Sequence, residues 1–233
     1  MCHCKGLRKF DKGMNGLKER FEKIREIGKQ MGEEAINNSM VEDIKVSYKV
    51  FKNNFEELLR FSEEFTNRVE SKNGDMNNND FSSELSMEAL RLLNNYVLSS
   101  KALKDHTKVF MNSHYKDCEF YVEHDVKIKE IYGKSQLLHF VQELRNYTFN
   151  RELPLVAVGI KQNNNENMIN TLCLDIETLR KWSGWTSATK AFIDSLESKV
   201  ELNKFVNQYW IEVDGFYQWF YHKLNEVVFM RCS

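Results

Sequence analysis

The chain has almost none of the residues that interrupt a helix. Its 233 residues include one proline, Pro154, and ten glycines. Because proline breaks helices and glycine weakens them, this scarcity favours long uninterrupted helices. The sequence also has no apolar run long enough to cross a bilayer and no charged-then-apolar leader for secretion. We therefore expect a cytoplasmic protein with no membrane partner.

The sequence also lacks an excess of charge of either sign. The formal net charge is −1 at pH 7, so the chain as a whole does not attract nucleic acid. Any contact with RNA has to come from a local basic patch. No DNA partner is predicted.

Cysteines are few and scattered, and the common catalytic motifs are missing. Five cysteines, an odd number, are typical of reduced thiols in a cytosolic protein. Met1-Cys2-His3-Cys4 offers zinc ligands, but the second cysteine pair that would complete a tetrahedral site is absent. Glycine-rich phosphate loops, nucleophile elbows and His-Glu-x-x-His helices are also missing. We predict no metal and no cofactor.

What the sequence does contain is the pattern of a helical protein. Apolar residues make up 42% and charged residues 29%, which is a globular composition. We predict a single helical domain over residues 1–233, with a flexible N-terminus at residues 1–13. Residues 16–36 carry a near-heptad apolar seam, typical of a coiled coil. A capping box formed by Ser39 and Glu42 starts the next helix, so the two helices form an antiparallel hairpin.

The rest of the chain is predicted from its periodicity. A polar loop over residues 71–80 leads to a long helix over residues 82–121, which bends near residues 113–116, and a further helix ends at Gly133. After Pro154, two β-prone runs predict a β-hairpin appendage at residues 153–175. Asp175 caps a short helix, and one last long helix carries an apolar stripe from Phe192 to Val227. The fold class is mainly all-α, a long antiparallel helical bundle with a small β-hairpin inserted before the C-terminal helices.

The segment from Ser135 to Pro154 predicts one amphipathic helix. Its buried stripe comprises Leu137, Phe140, Val141, Leu144 and Thr148. On the opposite side His139, Glu143, Asn146 and Asn150 follow at helical spacing, with Arg145 and Arg151 at the flanks. A stripe of this kind is most often a solvated face, and that interpretation stays open for this one.

Residues 145–150 read Arg-Asn-Tyr-Thr-Phe-Asn, which resembles the Arg-Asn-x-x-x-His motif of HEPN domains. The hydrophobic helix before the motif and the Leu-Pro exit after it are also similar to members of that superfamily. The resemblance implies an all-α bundle of long antiparallel helices that acts as a metal-independent RNase. It also implies a homodimer in which two copies of the motif face each other to form the RNA-cleaving site.

The chain departs from the motif at Asn150, where the family has histidine. Imidazole takes and returns a proton near neutral pH, whereas a carboxamide only donates and accepts hydrogen bonds. Arg145 can still hold a phosphate and Asn146 can orient it. Arg145, Asn146 and Asn150 are therefore the degenerate catalytic set. The candidate phosphate-binding residues are Arg145, Arg151 and His139, although a structural role is the alternative for His139.

Three functions stay open. The first is a HEPN-like helical protein, catalytically impaired, that binds RNA or another phosphate ligand through Arg145 and Asn146 as a homodimer. The second is a non-catalytic helical interaction or dimerisation protein. The third is an active metal-independent endoribonuclease of the defence or toxin–antitoxin type, a setting that the resemblance implies. The missing histidine favours a binder over an enzyme.

Overall fold

The computed structural model describes residues 41–65, 79–162 and 168–231. The chain divides into two compact units with the boundary between Lys45 and Val46. Apart from residues 41–45 of the first helix, the architecture below belongs to the second unit. Several predictions lie outside the described residues: the flexible N-terminus, the heptad seam, the cap at Ser39, most of the polar loop and the tip of the hairpin. The single domain over residues 1–233 stays a prediction.

The described residues form helices and one small sheet. In chain order the elements are α1 (residues 41–65), α2 (Asn79–His114), α3 (Glu119–Lys134), α4 (Gln136–Asn150), β1 (Val156–Gln162), β2 (Met168–Asp175), α5 (Ile176–Arg180), α6 (Ser187–Ser195), β3 (Lys199–Glu201) and α7 (Leu202–Arg231). The predicted fold class, mainly α with a small hairpin before the C-terminal helices, is confirmed.

Contacts between the long helices give their directions. Ser47 near the start of α1 lies 2.6 Å from His106 of α2, whereas Glu57 farther along α1 pairs with Arg91 at 3.2 Å. These two helices are therefore antiparallel. The pairs α2–α3 and α3–α7 are antiparallel by the same reasoning, from the contacts Tyr121–Asn112, Lys104–Tyr132, Phe120–Phe220 and His124–Phe216.

Aromatic side chains fill the space between these helices. Phe51 of α1 stacks on Tyr96 of α2, with 5.2 Å between ring centroids, and Phe55 stacks on Trp210 of α7 at 4.6 Å. Each fully buried phenylalanine contributes about 1.5–3 kcal/mol to folding. The buried residues of α7 include Tyr209, Val213, Phe216, Tyr217 and Phe220. This helix is therefore central to the bundle.

The sheet has three antiparallel strands in the order β1-β2-β3. The hairpin pairs Val156 with Leu174 at one end and Gln162 with Met168 at the other. Gly159 is required within it, because a Cβ at this position would lie 2.5 Å from the Sγ of Cys173. The sheet packs on α2 and α7, so the hairpin is built into the bundle.

The prediction of one unbroken last helix is wrong. α6 ends at Ser195, and α7 begins at Leu202 after the short strand β3. Arg180 closes the end of α6, since its Nη2 donates to the backbone carbonyl oxygens of Ile193 and Leu196. The intervening residues then pair with β2, from Cys173 with Glu201 to Asp175 with Lys199.

Candidate functional site

The candidate site lies on α4, whose ends follow from its sequence. The hydroxyl of Ser135 accepts from the backbone N–H of Leu138 at 3.2 Å and caps the helix. Arg151 leaves helical geometry with φ −128° and ψ −81°, and Pro154 follows, which cannot continue a helix. The helix that the sequence predicts before Pro154 is thus present. Its buried residues are Leu137, Leu138, Phe140, Val141, Leu144 and Tyr147.

Tyr147, in the middle of the motif, belongs to the core. Its ring stacks on Trp185 with 5.5 Å between centroids and an interplanar angle of 6°. Its hydroxyl donates to Oε1 of Glu152 at 2.9 Å. Burial, followed by this hydrogen bond, raises the pKa of Tyr147 well above its ordinary value. Thr148, predicted to be buried, is only half-buried, and its hydroxyl donates to the carbonyl of Leu144 at 2.9 Å.

Arg145 lies at the edge of the exposed side of α4 and is half-buried. Its guanidinium carbon is 4.7 Å from the ring centroid of Phe149, one helical turn later. A cation over an aromatic ring at an exposed site contributes about 0.5–1 kcal/mol. No carboxylate among the described residues pairs with this guanidinium. Its N–H groups therefore stay available for an anion.

Asn146 and Asn150 lie next to this pair. Both side chains are exposed, and their spacing of four residues makes them neighbours on the helix surface. Arg145, Asn146 and Asn150 thus share the last two turns of α4. The structure places the two asparagines in solvent and leaves Arg145 half-buried beside them.

His139 and Arg151 are placed differently. His139 is exposed, but a rise of 1.5 Å per residue puts it about 9 Å along the axis from Arg145 and about 16 Å from Asn150. Arg151 lies beyond the helix, with its Nε 3.4 Å from Oε1 of Glu152. Neither residue therefore extends the face formed by the other three.

Glu143, on the predicted polar stripe, has a structural role. Its Oε2 accepts from the backbone N–H of Thr186 at 3.0 Å, and its Oε1 accepts from the Thr186 hydroxyl at 2.6 Å. Thr186 is the N-cap of α6 and also accepts from the N–H of Thr189. This carboxylate therefore fixes α6 against α4 rather than serving a ligand.

The sequence interpretation missed three exposed apolar side chains at and after the end of α4. Phe149 is 62% exposed, Leu153 46% and Leu155 48%. The three side chains belong to one short segment of the chain, and exposed apolar side chains that form one surface mark interaction sites. The signal was present in the sequence, because Phe149 lies off the buried stripe of the helix. We call Arg145, Asn146, Phe149 and Asn150 the α4 face.

In the part of the chain that the structure describes, no group of three or more histidine, cysteine, aspartate or glutamate side chains could hold a metal ion. Among the same residues, no helix is both long and apolar enough to cross a membrane. The chemistry of the α4 face is therefore that of a guanidinium, two carboxamides and an aromatic ring.

Comparison with known proteins gives no further assignment. No protein-family model, no curated protein and no solved structure matches this chain.

Proposed function

We propose that this chain is a catalytically impaired HEPN-like protein that binds single-stranded RNA through the α4 face. The observation that carries the proposal is the position of the Arg145 guanidinium. Its carbon is 4.7 Å from the ring centroid of Phe149, and it has no ion-pair partner among the described residues. A guanidinium held beside a ring without an ion-pair partner can form two hydrogen bonds to a phosphate. The resemblance at residues 145–150 supports the same ligand.

The neighbouring side chains suit a single strand. Phe149 is 62% exposed. Stacking of a base on an exposed aromatic ring contributes about 1–3 kcal/mol to binding. The carboxamides of Asn146 and Asn150 both donate and accept hydrogen bonds, so they can contact base edges or the ribose. Because the net charge of the chain is −1, affinity rests on this local face and falls as salt is raised.

The proposal is a binder rather than an enzyme because the α4 face has no group that exchanges a proton at neutral pH. Asn150 stands in the position of the family histidine. Tyr147 is buried, and its raised pKa keeps the phenol protonated. His139 lies about 9 Å along the axis from Arg145, beyond hydrogen-bonding reach of a phosphate held there.

The test is fluorescence anisotropy with a labelled single-stranded RNA of mixed sequence, at low and at moderate salt. Arg145→Ala is expected to weaken binding about 10- to 100-fold, because a hydrogen bond to a charged group contributes about 1.5–3 kcal/mol. Phe149→Ala is expected to weaken it similarly. Arg60→Ala, which removes an exposed arginine on α1, is the matched control and is expected to leave binding unchanged. The proposal would be rejected if the wild type did not bind the RNA, or if the wild type and all three variants bound it with equal affinity.

Cleavage is measured in parallel on denaturing gels in the presence of EDTA. We expect intact RNA with the wild-type chain. Metal-independent cleavage that disappears in Arg145→Ala would overturn the assignment as a binder and support the active endoribonuclease. Gain of cleavage by Asn150→His would show that the face keeps the geometry of the family site.

A second candidate function, dimerisation, is favoured by the exposed apolar side chains that follow α4. Leu153 and Leu155 are 46% and 48% exposed immediately after the α4 face, and burying them in a second copy would bring two α4 faces together. Sedimentation equilibrium of the wild type and of Leu155→Asp tests this function. We expect a dimer that dissociates in the variant; a monomeric wild type would reject it and leave RNA binding to be judged separately.

A further inference from the structure

A pocket of about 260 Å³ lies between α2, α3 and α7. An apolar cavity of about 150 Å³ holds a benzene molecule, whereas pockets for drug-sized ligands span about 300–1,000 Å³. The volume of this pocket therefore suits a ligand of one aromatic ring with a short polar arm. The pocket is built from elements other than α4, so it is separate from the proposed RNA-binding face.

The interior of the pocket is apolar. Met111 and Phe216 are each 1% exposed and contribute a thioether and an aromatic ring to the wall. Thr107 and Tyr217 also line the pocket, but their hydroxyls satisfy each other at 2.8 Å, and Thr107 donates to the carbonyl of Leu103. The inner wall is thus suited to the flat body of a ligand.

Positive charge lines the pocket on the α2 side. Lys104 and Lys108 are one helical turn apart, and both belong to the wall. Lys104 is half-buried, with its Nζ 4.0 Å from the ring centroid of Tyr132 and 2.8 Å from Oε1 of Gln142. These partners are neutral, and burial, followed by repulsion from Lys101, lowers the pKa of Lys104 to about 8. An anion beside this ammonium would offset its desolvation.

Carboxylates near these lysines already pair with other lysines. Asp105, which partly opposes the lowering of the pKa of Lys104, forms an ion pair with Lys101. Asp125 lines the pocket, but its Oδ2 is 2.6 Å from Nζ of Lys129. His124 is 8% exposed and lines the pocket, and its Nε2 has no hydrogen-bond partner among the described residues. That nitrogen is itself buried, so it offers no contact to a ligand, and the lowered pKa of His124 keeps its ring neutral beside the lysines.

We propose that this pocket binds a small organic acid with a single-ring apolar body, its carboxylate held by Lys104 and Lys108 and its ring against Met111 and Phe216. The observations behind the proposal are the volume of the pocket, its apolar inner wall, and the two lysines on its α2 side, whose neighbouring carboxylates Asp105 and Asp125 pair with Lys101 and Lys129.

The experiment is isothermal titration calorimetry of the full chain. The ligands are phenylacetate and its neutral isostere phenylacetamide, followed by benzoate and phenylpropionate. We expect the wild type to bind at least one of these acids, and to bind phenylacetate at least tenfold more tightly than phenylacetamide. Lys104→Met and Lys108→Met are each expected to reduce the affinity for the acid about tenfold, while affinity for the amide stays constant. Lys116→Met, which removes an exposed lysine in the turn after α2, is the control and is expected to bind as the wild type does.

Ile128→Trp provides an independent check, because it fills the pocket from α3 and is expected to abolish binding. Circular dichroism confirms that each variant is folded, and Lys108→Met alters an exposed side chain whose loss leaves the core intact. The proposal is overturned if no single-ring acid binds at concentrations up to about 10 mM, a bound set by the limited affinity of very small ligands. It is also overturned if acid and amide bind equally, or if Ile128→Trp binds as the wild type does.

Discussion

Lowering the pH from 7 to 5 is expected to destabilise the folded protein through His124. This histidine lies on α3 with its ring 5.8 Å from that of Phe216 and 6.0 Å from that of Phe220. Burial lowers its pKa from the ordinary 6.5 to about 4, and the nearby carboxylate of Asp125 only partly opposes this shift. At pH 5 the ring is therefore neutral in the folded protein and protonated in the unfolded chain.

The direction of this change in stability with pH follows from proton linkage. Between pH 6.5 and pH 4 the unfolded chain binds a proton at His124 that the folded protein does not, so stability falls as the pH falls through this window. Each pKa unit corresponds to about 1.36 kcal/mol, so the full effect below pH 4 is about 3 kcal/mol. Between pH 7 and pH 5 the loss is about 2 kcal/mol. Lys104, in the same pocket, stays largely protonated in both states across this range.

Urea unfolding at both pH values measures this effect when the wild type is compared with His124→Phe. Other groups also titrate, but they contribute equally to both proteins, so the difference between the two pH dependences isolates His124. We expect the wild type to lose about 2 kcal/mol more than His124→Phe between pH 7 and pH 5. His124→Leu serves as a second variant in case phenylalanine is too large for the site.

The control is His139→Phe, which replaces an exposed histidine on α4 and is expected to keep the wild-type pH dependence. The reasoning is refuted if His124→Phe and His124→Leu both lose as much stability as the wild type between the two pH values. In that case solvent reaches the ring of His124 in the folded protein.

Three further predictions concern packing and hydrogen bonds. Gly159→Ala places a Cβ 2.5 Å from the Sγ of Cys173 and is expected to destabilise the protein by about 1–3 kcal/mol. In thermal unfolding, we expect the double variant with Cys173→Ala to recover this stability. A double variant as unstable as Gly159→Ala would contradict the contact. Thr186→Ala removes the N-cap of α6 and is expected to cost about 1–2 kcal/mol in urea unfolding. Trp185→Phe loses the hydrogen bond from Nε1 to the carbonyl of Leu179 at 2.7 Å. We expect this variant to lose about 1–3 kcal/mol of stability in urea unfolding. Unchanged stability would argue against that hydrogen bond.

The features that could be predicted from the sequence have local causes. Ser135 caps α4, and Asp175 caps α5 by accepting from the N–H of Thr178. The break between α2 and α3 falls at residues 115–118, next to the bend predicted at residues 113–116. The hairpin follows from two β-prone runs with a polar segment between them. Each of these signals lies within a few residues of the structure that it predicts.

The features that could not be predicted depend on distant partners. β3 exists because Val200 pairs with Leu174 on β2, and no proline or glycine marks the break between α6 and α7. The apolar spacing continues across that break, so periodicity alone gives one long helix. The role of Glu143 is equally non-local, because its partner Thr186 lies 43 residues later.

The same packing decides how substitutions on the α4 face are to be interpreted. Several interactions hold α4 in the bundle: the buried Leu144, the stack of Tyr147 on Trp185, the contact of Glu143 with α6, and the hydrogen bond from Lys104 of α2 to Gln142. Arg145 and Phe149 contact each other, and Phe149 projects largely into solvent. Surface substitutions away from caps and buried groups usually change stability by less than about 0.5 kcal/mol. We therefore expect urea unfolding of Arg145→Ala and Phe149→Ala to match the wild type within about 0.5 kcal/mol, so that a loss of RNA affinity in either variant reports on the binding face.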